Sequence, residues 1–222
     1  WLWLAGLTGI ACGFAGAAFT WCVAKATALR GAHPWLLFCM PLAGLVIVWS
    51  YQAWGMENDT GTNQIIASVR GGERPTLRLA PLIFLGSVLT HLTGGSAGRE
   101  GAALQIGGSI SAGIARLLRL KEHSTNTIIQ CGMAGLFSAL FGTPLTATVF
   151  ALEVVNVGHL YYSALFPCLL SALTANYIPR LLGLPAEAYH LAGLPELGPA
   201  SLLRCGVLAV LAALVSIAFC SL

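Results

Sequence analysis

Apolar residues run in long blocks along this chain, and polar residues are confined to the joints between them. Residues 1–24 are apolar and rich in Gly and Ala, up to Lys25. Residues 34–54, PWLLFCMPLAGLVIVWSYQAW, form a second block. Each has about the ~20 residues that cross ~30 Å of hydrocarbon as a helix. Trp35, Trp49, Tyr51 and Trp54 lie near the ends of the second block, where interfacial aromatics gather. Residues 55–64, GMENDTGTNQ, are polar, and the segment 62–70 is too short to span. Arg70, Arg74 and Arg78 flank an apolar run over 79–93, which ends in GGSAGREG. Residues 100–118 have a helical but mixed pattern, with Gln105 and Ser109 inside, and basic residues return at Arg116, Arg119 and Lys121. Segments 124–141 and 144–156 are broken at Gly142-Thr143-Pro144. Pro144 suits a first helical position, because its missing N–H has no helical partner there. A span over 159–182, a Gly/Pro-rich loop over 183–199 and a final span over 201–222 bring the expected helical segments to about nine.

Several of these segments are unusually short. Short, Gly/Pro-interrupted apolar segments point to the binding site of a transporter, and unwound backbone at membrane depth is tolerated only where it is buried or lines a watery cavity. The alternative for residues 94–101 is an ordinary connecting loop, but the polar stretch there sits between two apolar halves with little room to reach water. Basic residues before 79–93 and after 100–118 place both outer ends of this pair in the cytoplasm. The pair then enters, turns near residues 94–99 and returns.

Composition sharpens this picture. The 222 residues are 57% apolar and only 9% charged, with a mean hydropathy of +0.80; soluble domains carry about 25% charged residues. A soluble enzyme and a disordered chain are both excluded, and the expectation is an all-α, polytopic integral membrane protein of the cell (inner) membrane. A net charge of +3 is too small to suggest nucleic acid. The seven cysteines, at 12, 22, 39, 131, 168, 205 and 220, sit in or beside apolar runs without CxxC spacing. They read as buried free thiols. Metal-ligand spacing is missing, and no cofactor is expected. A first residue Trp1 and a last residue Leu222 inside an apolar run read as a fragment of a longer chain.

Three stretches carry chemistry. In Gly94-Gly95-Ser96-Ala97-Gly98-Arg99-Glu100-Gly101 a Gly-rich turn runs into a helix. The free N–H groups of such a start, together with the helix dipole, make an anion site. Glu100 stands at that start as a built-in anion. A carboxylate in low dielectric stays ionised only while such donors hold it, which suits a gate: protonate or displace it, and an external anion takes the amides. The alternative is a capping glutamate without a transport role. The Arg99 side chain reads as structural, folded back onto carbonyls. Gly61-Thr62-Asn63-Gln64 is a second Gly turn opening a helix, either a second anion position or a plain N-cap. Gly142-Thr143-Pro144-Leu145 leads to Glu153, whose role reads as structural hydrogen bonding rather than proton transfer. His33, His123, His159 and His190 sit near segment ends and read as interfacial. His91 lies within a span and reads as a hydrogen-bonded packing residue rather than a proton relay.

At GREG the residues resemble a family. Ser96-Ala97-Gly98-Arg99-Glu100-Gly101, then Gln105-Ile106-Gly107-Gly108, resemble the GREGP…QIGG signature of the CLC chloride channels and anion/proton exchangers. Phe141-Gly142-Thr143-Pro144-Leu145…Phe150…Glu153 looks like that family's next helix start. The resemblance covers nearly the whole chain, but only the first of the family's two inverted halves and the first helix of the second. Thr90-His91-Leu92 with Gly94–Gly101 looks most like the fluoride-exporting branch (CLC-F). Ala102 stands where GREGP has Pro. Gly61-Thr62-Asn63-Gln64-Ile65 stands where chloride transporters have GSGIP, so the central-site serine maps to Thr62, or with a one-residue gap to Thr60 or Asn63. Val154 stands where exchangers carry an inner proton-transfer glutamate.

The resemblance implies a membrane homodimer with one anion pathway per subunit. Glu100 would be the gating and proton-carrying glutamate. The amides of Arg99, Glu100 and Gly101, beside Gly98, would line the outer anion site, with Thr62, Gly61 and Asn63 at the central one; Glu153, Thr143 and His91 are secondary candidates. The dimer face would use the helices near 144–156 and 159–182. Residues 1–182 would be the first repeat, 183–199 a linker and 200–222 the first helix of the second. Expected partners are a halide, fluoride or chloride, with protons and the lipid bilayer. The leading expectation is fluoride export by F⁻/H⁺ antiport. The competing ones are a chloride channel or Cl⁻/H⁺ exchanger of the same family, and a non-conducting half-protein that needs a partner chain. An intramembrane hydrolase on His91, Glu100 and Glu153 finds no nucleophile elbow, metal motif or dyad to support it.

Overall fold

Nine α-helices and one 3-10 helix make up the regular structure of the described residues in a computed structural model of residues 2–155, 162–184 and 198–221. Their order is α1 (Leu2–Ala32), the 3-10 helix (Pro34–Cys39), α2 (Met40–Ala53), α3 (Thr62–Val69), α4 (Leu79–Leu92), α5 (Arg99–Leu117), α6 (Glu122–Phe141), α7 (Pro144–Glu153), α8 (Tyr162–Leu181) and α9 (Pro199–Ser221). The expectations for His159, His190, the first residues of the 159–182 span and most of the 183–199 loop lie outside the described residues.

Helix α6 starts at Glu122 rather than 124 and α7 ends at Glu153 rather than 156, and the first two blocks differ more from the sequence expectation. The first block does not stop at Lys25 but continues to Ala32. Lys25 stays within the helix by laying its ammonium 5.9 Å from the centre of the Trp21 ring, a favourable cation–π placement, and the Ala and Leu residues that follow favour helix. The second block is split. Pro34 opens the 3-10 helix, and Pro41 occupies the first turn of α2, where a proline costs no internal hydrogen bond. Among the described residues, three stretches can cross a membrane by length and composition: Leu2–Ala32, Pro34–Ala53 and Pro199–Ser221.

The chain divides into Trp1–Glu187 and Ala188–Leu222. The second unit carries α9, a 23-residue apolar helix. In the first, α6 is the central post, packed against α8, α5, α1 and α7. Its Ile128, Ile129, Cys131, Met133 and Leu136 are fully buried. α1 also lies on α8 and α4, α2 on α4, and α3 on α5 and α6. α2 instead exposes Leu42, Leu45, Val48 and Trp49, a face suited to lipid. Phe137 of α6 meets Phe141 at 4.5 Å and Phe150 of α7 at 5.0 Å between ring centres, which fixes α7 to the post.

Helices in hydrocarbon gain little from burying apolar side chains against one another, so they associate by close packing of small residues. α5 crosses α6 at Gly107 and Gly132, backbone against backbone. A Cβ on Gly107 would stand 2.8 Å from the Gly132 carbonyl carbon and 3.0 Å from Leu136 Cβ. Ser111 lies at the same crossing beside Gly132, its hydroxyl donating back to the Gly107 carbonyl within α5. α1 meets α8 in the same way: a Cβ on Gly9 would lie 2.6 Å from the Ser171 carbonyl oxygen.

Replacing Gly107 by Val is therefore expected to force α5 off α6 and to lower the thermal midpoint in detergent by an amount equivalent to about 1–3 kcal/mol. Gly6→Ala, where nothing stands within 4 Å, is expected to leave it unchanged or raise it slightly. Heating the purified variants and measuring the remaining monodisperse fraction distinguishes the two.

Candidate functional site

The start of α5 is made by the glycines that precede it. Gly94 has φ +87, and it and Gly95 return their N–H groups to the carbonyls of His91 and Thr90, at 3.3 and 2.8 Å, closing the end of α4. The chain then extends through Gly98 (φ −66, ψ 142) and enters α5 at Arg99. The residue at the N-cap, Gly98, has no side chain with which to cap this start. Glu100, on that turn, is exposed. Its Oε2 lies 3.0 Å from where a Cβ on Gly98 would stand, so the carboxylate is folded back over the backbone at the helix start. A negative charge is favourable there because the dipole is positive at that end.

A second uncapped start lies beside it. Gly61 takes φ +66 and ψ −136 to turn the chain into α3, conformational space that a side chain strongly disfavours. Its N–H is held by Asp59 Oδ1 at 3.2 Å. Thr62, the first residue of α3, accepts a hydrogen bond of 3.0 Å from Gln105 Nε2 of α5. Thr62 Oγ1 also lies 3.1 Å from where a Cβ on Gly101 would stand. The absence of that Cβ is what lets the two starts seat together. Gly61, Thr62, Gly98, Glu100 and Gly101 are thus gathered by α3 and α5. Asn63 is exposed beside Thr62, and Arg99 is half-buried at the head of α5.

Sequence reasoning read Gln105 as a polar residue inside a mixed helix and as part of a motif, and missed its contact. One signal for it was available: Gln105 lies four residues after Gly101, on the same helix face, in an otherwise small and apolar helix. Its Oε1 is buried without a partner, as is that of Gln64. Gln105 also lines a cavity of about 300 Å³ with Tyr51, Ser87, Thr90, Gly98 and Gly101.

The secondary candidates lie apart from this cluster or are committed elsewhere. His91 Nδ1 is 2.8 Å from the Ser87 carbonyl oxygen in its own helix. Thr143 and Glu153 mark opposite ends of the ten-residue α7, about 15 Å apart at 1.5 Å per residue, so they do not form one site. Glu153 is exposed, at the helix end where a negative charge is unfavourable. Beyond it Arg70 donates from Nε to the Val155 carbonyl, tying the end of α3 to the end of α7. Both residues line a larger cavity of about 740 Å³ with Glu122, His123, Asn126 and Gln130. The cysteines are free thiols, but only Cys12, Cys131 and Cys168 are buried as expected; Cys22 and Cys39 are half-buried, and Cys205 and Cys220 are exposed because α9 buries none of its residues.

The chain is similar to known proteins in sequence and in fold. The chain is 36% identical over 190 residues to a chloride/fluoride channel protein of Pseudomonas syringae pv. tomato, covering 85% of this chain and 42% of that protein. It is 29% identical over 121 residues to an H(+)/Cl(-) exchange transporter, ClcA, of Vibrio cholerae, covering 53% of this chain and 26% of that one. The crystal structure of a CLC-type fluoride/proton antiporter superposes with a TM-score of 0.87 at 34% identity, over 95% of this chain and 53% of that one. A slow cyanobacterial Cl-/H+ antiporter shares the fold, with a TM-score of 0.68 at 21% identity over 88% of this chain. The chain spans about half the length, or less, of these relatives. Residues 43–222 match the voltage gated chloride channel family. With that match, the all-helical polytopic membrane fold and the identity to the P. syringae protein, the chain belongs to the voltage gated chloride channel (CLC) family of anion transport proteins.

Proposed function

We propose that this chain forms the first half of a fluoride exporter that exchanges F⁻ for H⁺, with Glu100 as gate and proton carrier. One observation carries the reading: the Glu100 carboxylate lies over an uncapped helix start that is joined through Gln105 to a second uncapped start at Thr62. Backbone N–H groups at two adjacent helix starts supply the donors that a small, strongly hydrated anion needs in place of water. Arg99, Glu100 and Gly101 offer their amides at the outer position, Gly61, Thr62 and Asn63 at the inner one. While ionised, Glu100 competes for the outer amides. Once protonated it loses that hold, and the anion takes its place as the proton moves the other way. Val154 leaves no carboxylate at the position of the inner proton-transfer glutamate of chloride exchangers, so proton transfer is assigned to Glu100 alone.

Fluoride rather than chloride is supported by the likeness to the P. syringae chloride/fluoride protein and to the fluoride/proton antiporter; amide clusters alone do not decide which halide wins. The rest of the reading follows the family. Residues 1–182 form the first repeat, 183–199 the linker and 200–222 the first helix of the second, with the pathway completed where the two repeats meet. The protein sits in the cell (inner) membrane as a homodimer through α7 and α8.

Two measurements on the full-length protein in proteoliposomes test this. Fluoride efflux is expected to exceed chloride efflux by at least about tenfold, roughly 1.4 kcal/mol of discrimination; equal rates would overturn the fluoride assignment in favour of a chloride transporter. Glu100→Gln is expected to abolish fluoride-driven proton uptake. Proton movement that persists in this variant rules Glu100 out as the carrier.

A further inference from the structure

Two helix starts that merely lie side by side need no side chain to join them, yet α3 and α5 are joined by one. We propose that Gln105 is a positioning residue that orients the Thr62 hydroxyl so that its proton is directed at the anion; the proposal rests on the reading of these two starts as the anion path. A threonine hydroxyl has one proton to give and two lone pairs to offer. The Gln105 Nε2 has only protons, so its 3.0 Å bond to Thr62 Oγ1 occupies a lone pair and leaves the hydroxyl proton for another acceptor.

Elsewhere in this chain a helical threonine returns that proton to the carbonyl four residues back. Thr8, Thr90, Thr148 and Thr174 do so at 2.7–2.8 Å. Thr62 has no helical turn before it, because α3 begins with it. Its hydroxyl therefore stands among the uncapped N–H groups of the helix start, as one more donor in the same cluster.

The position of the amide is confined from both sides. Gln105 Nε2 lies 3.8 Å from where a Cβ on Gly61 would stand and 3.9 Å from one on Gly101. The amide nitrogen is thus lodged between the backbones of the two starts, within contact distance of both. Gln105 reaches this point from one turn inside α5, so it need not touch the anion. Its effect passes through Thr62 and appears as tighter anion binding rather than as proton transfer.

The test is fluoride transport by the full-length protein in proteoliposomes, with KM, maximal rate and proton-to-fluoride stoichiometry measured separately. Gln105→Met keeps the side-chain length but has no donor. It is expected to raise the fluoride KM about fivefold, the effect of one ordinary hydrogen bond, with the stoichiometry unchanged. Gln105→Asn, one methylene too short to reach Thr62, is expected to do the same and serves if the Met variant does not fold. Gln105→Glu is expected to raise KM further, because a carboxylate captures the Thr62 proton and sets a negative charge beside the anion. Thr62→Ser retains the hydroxyl and is expected to stay near the parent KM. In a Thr62→Val background, Gln105→Met is expected to add nothing, since no hydroxyl remains to orient. An unchanged KM in both Gln105→Met and Gln105→Asn overturns the proposal, and so does a full additional effect in the Thr62→Val background. A parent protein that moves no fluoride overturns both this proposal and the function it rests on, whereas fluoride transport indifferent to Gln105 overturns this one alone.

Discussion

Backbone lies against backbone where α5 crosses α6, and the placement of the site follows from that contact. Gly107 and Gly132 permit no Cβ between them, so the axis of α5 is fixed in height and direction against the central post. The head of α5, at Arg99 and Glu100, lies two turns from this crossing. An α-helix is stiff over two turns, so fixing Gly107 fixes the place where the uncapped N–H groups open. α3 then docks on α5 through Ile65, whose Cγ2 reaches 2.6 Å from where a Cβ on Gly108 would stand. Small residues along one helix thus hold its own head and that of its neighbour.

This division of labour explains why one helix carries both packing and chemistry. The first turn of α5 presents Glu100 at the positive end of the helix dipole. The second carries Gln105 toward α3. The third gives up its side chains, at Gly107 and Gly108, so that α6 and α3 can approach. Each turn rests on the next. Soluble proteins more often hold such sites with large apolar side chains, but in a bilayer lipid matches those side chains, and close packing of small residues takes over.

Much of the fold was legible in the sequence because glycine and proline mark their own positions. The breaks at Gly94–Gly98, at Gly61 and at Gly142-Thr143-Pro144 follow from backbone geometry that does not depend on the rest of the chain, and the structure has helix starts at all three. Boundaries set by side chains were harder to read. Lys25 read as a terminus because it is charged, but the Trp21 ring a turn earlier accommodates the charge within α1. In the site, Glu100 and Thr62 were legible as residues at helix starts. Their connection through Gln105 was not, since it joins positions 43 apart and exists only when α3 lies on α5. The separation of Thr143 from Glu153 needed only the length of α7. The commitment of His91 to the Ser87 carbonyl needed the rotamer.

The bond from Arg70 to the Val155 carbonyl also bears on how the site is made. These residues are 85 positions apart, and a ribosome adding roughly 5–20 residues per second separates them by about 4–17 s of synthesis. Throughout that interval the trailing end of α3 has its lead partner but not its anchor. The far end of α3 is therefore tied to α7 only at a late stage of synthesis, after α7 has left the ribosome. A nascent chain halted before Val155 carries the motif residues of both helix starts with the far end of α3 still untied.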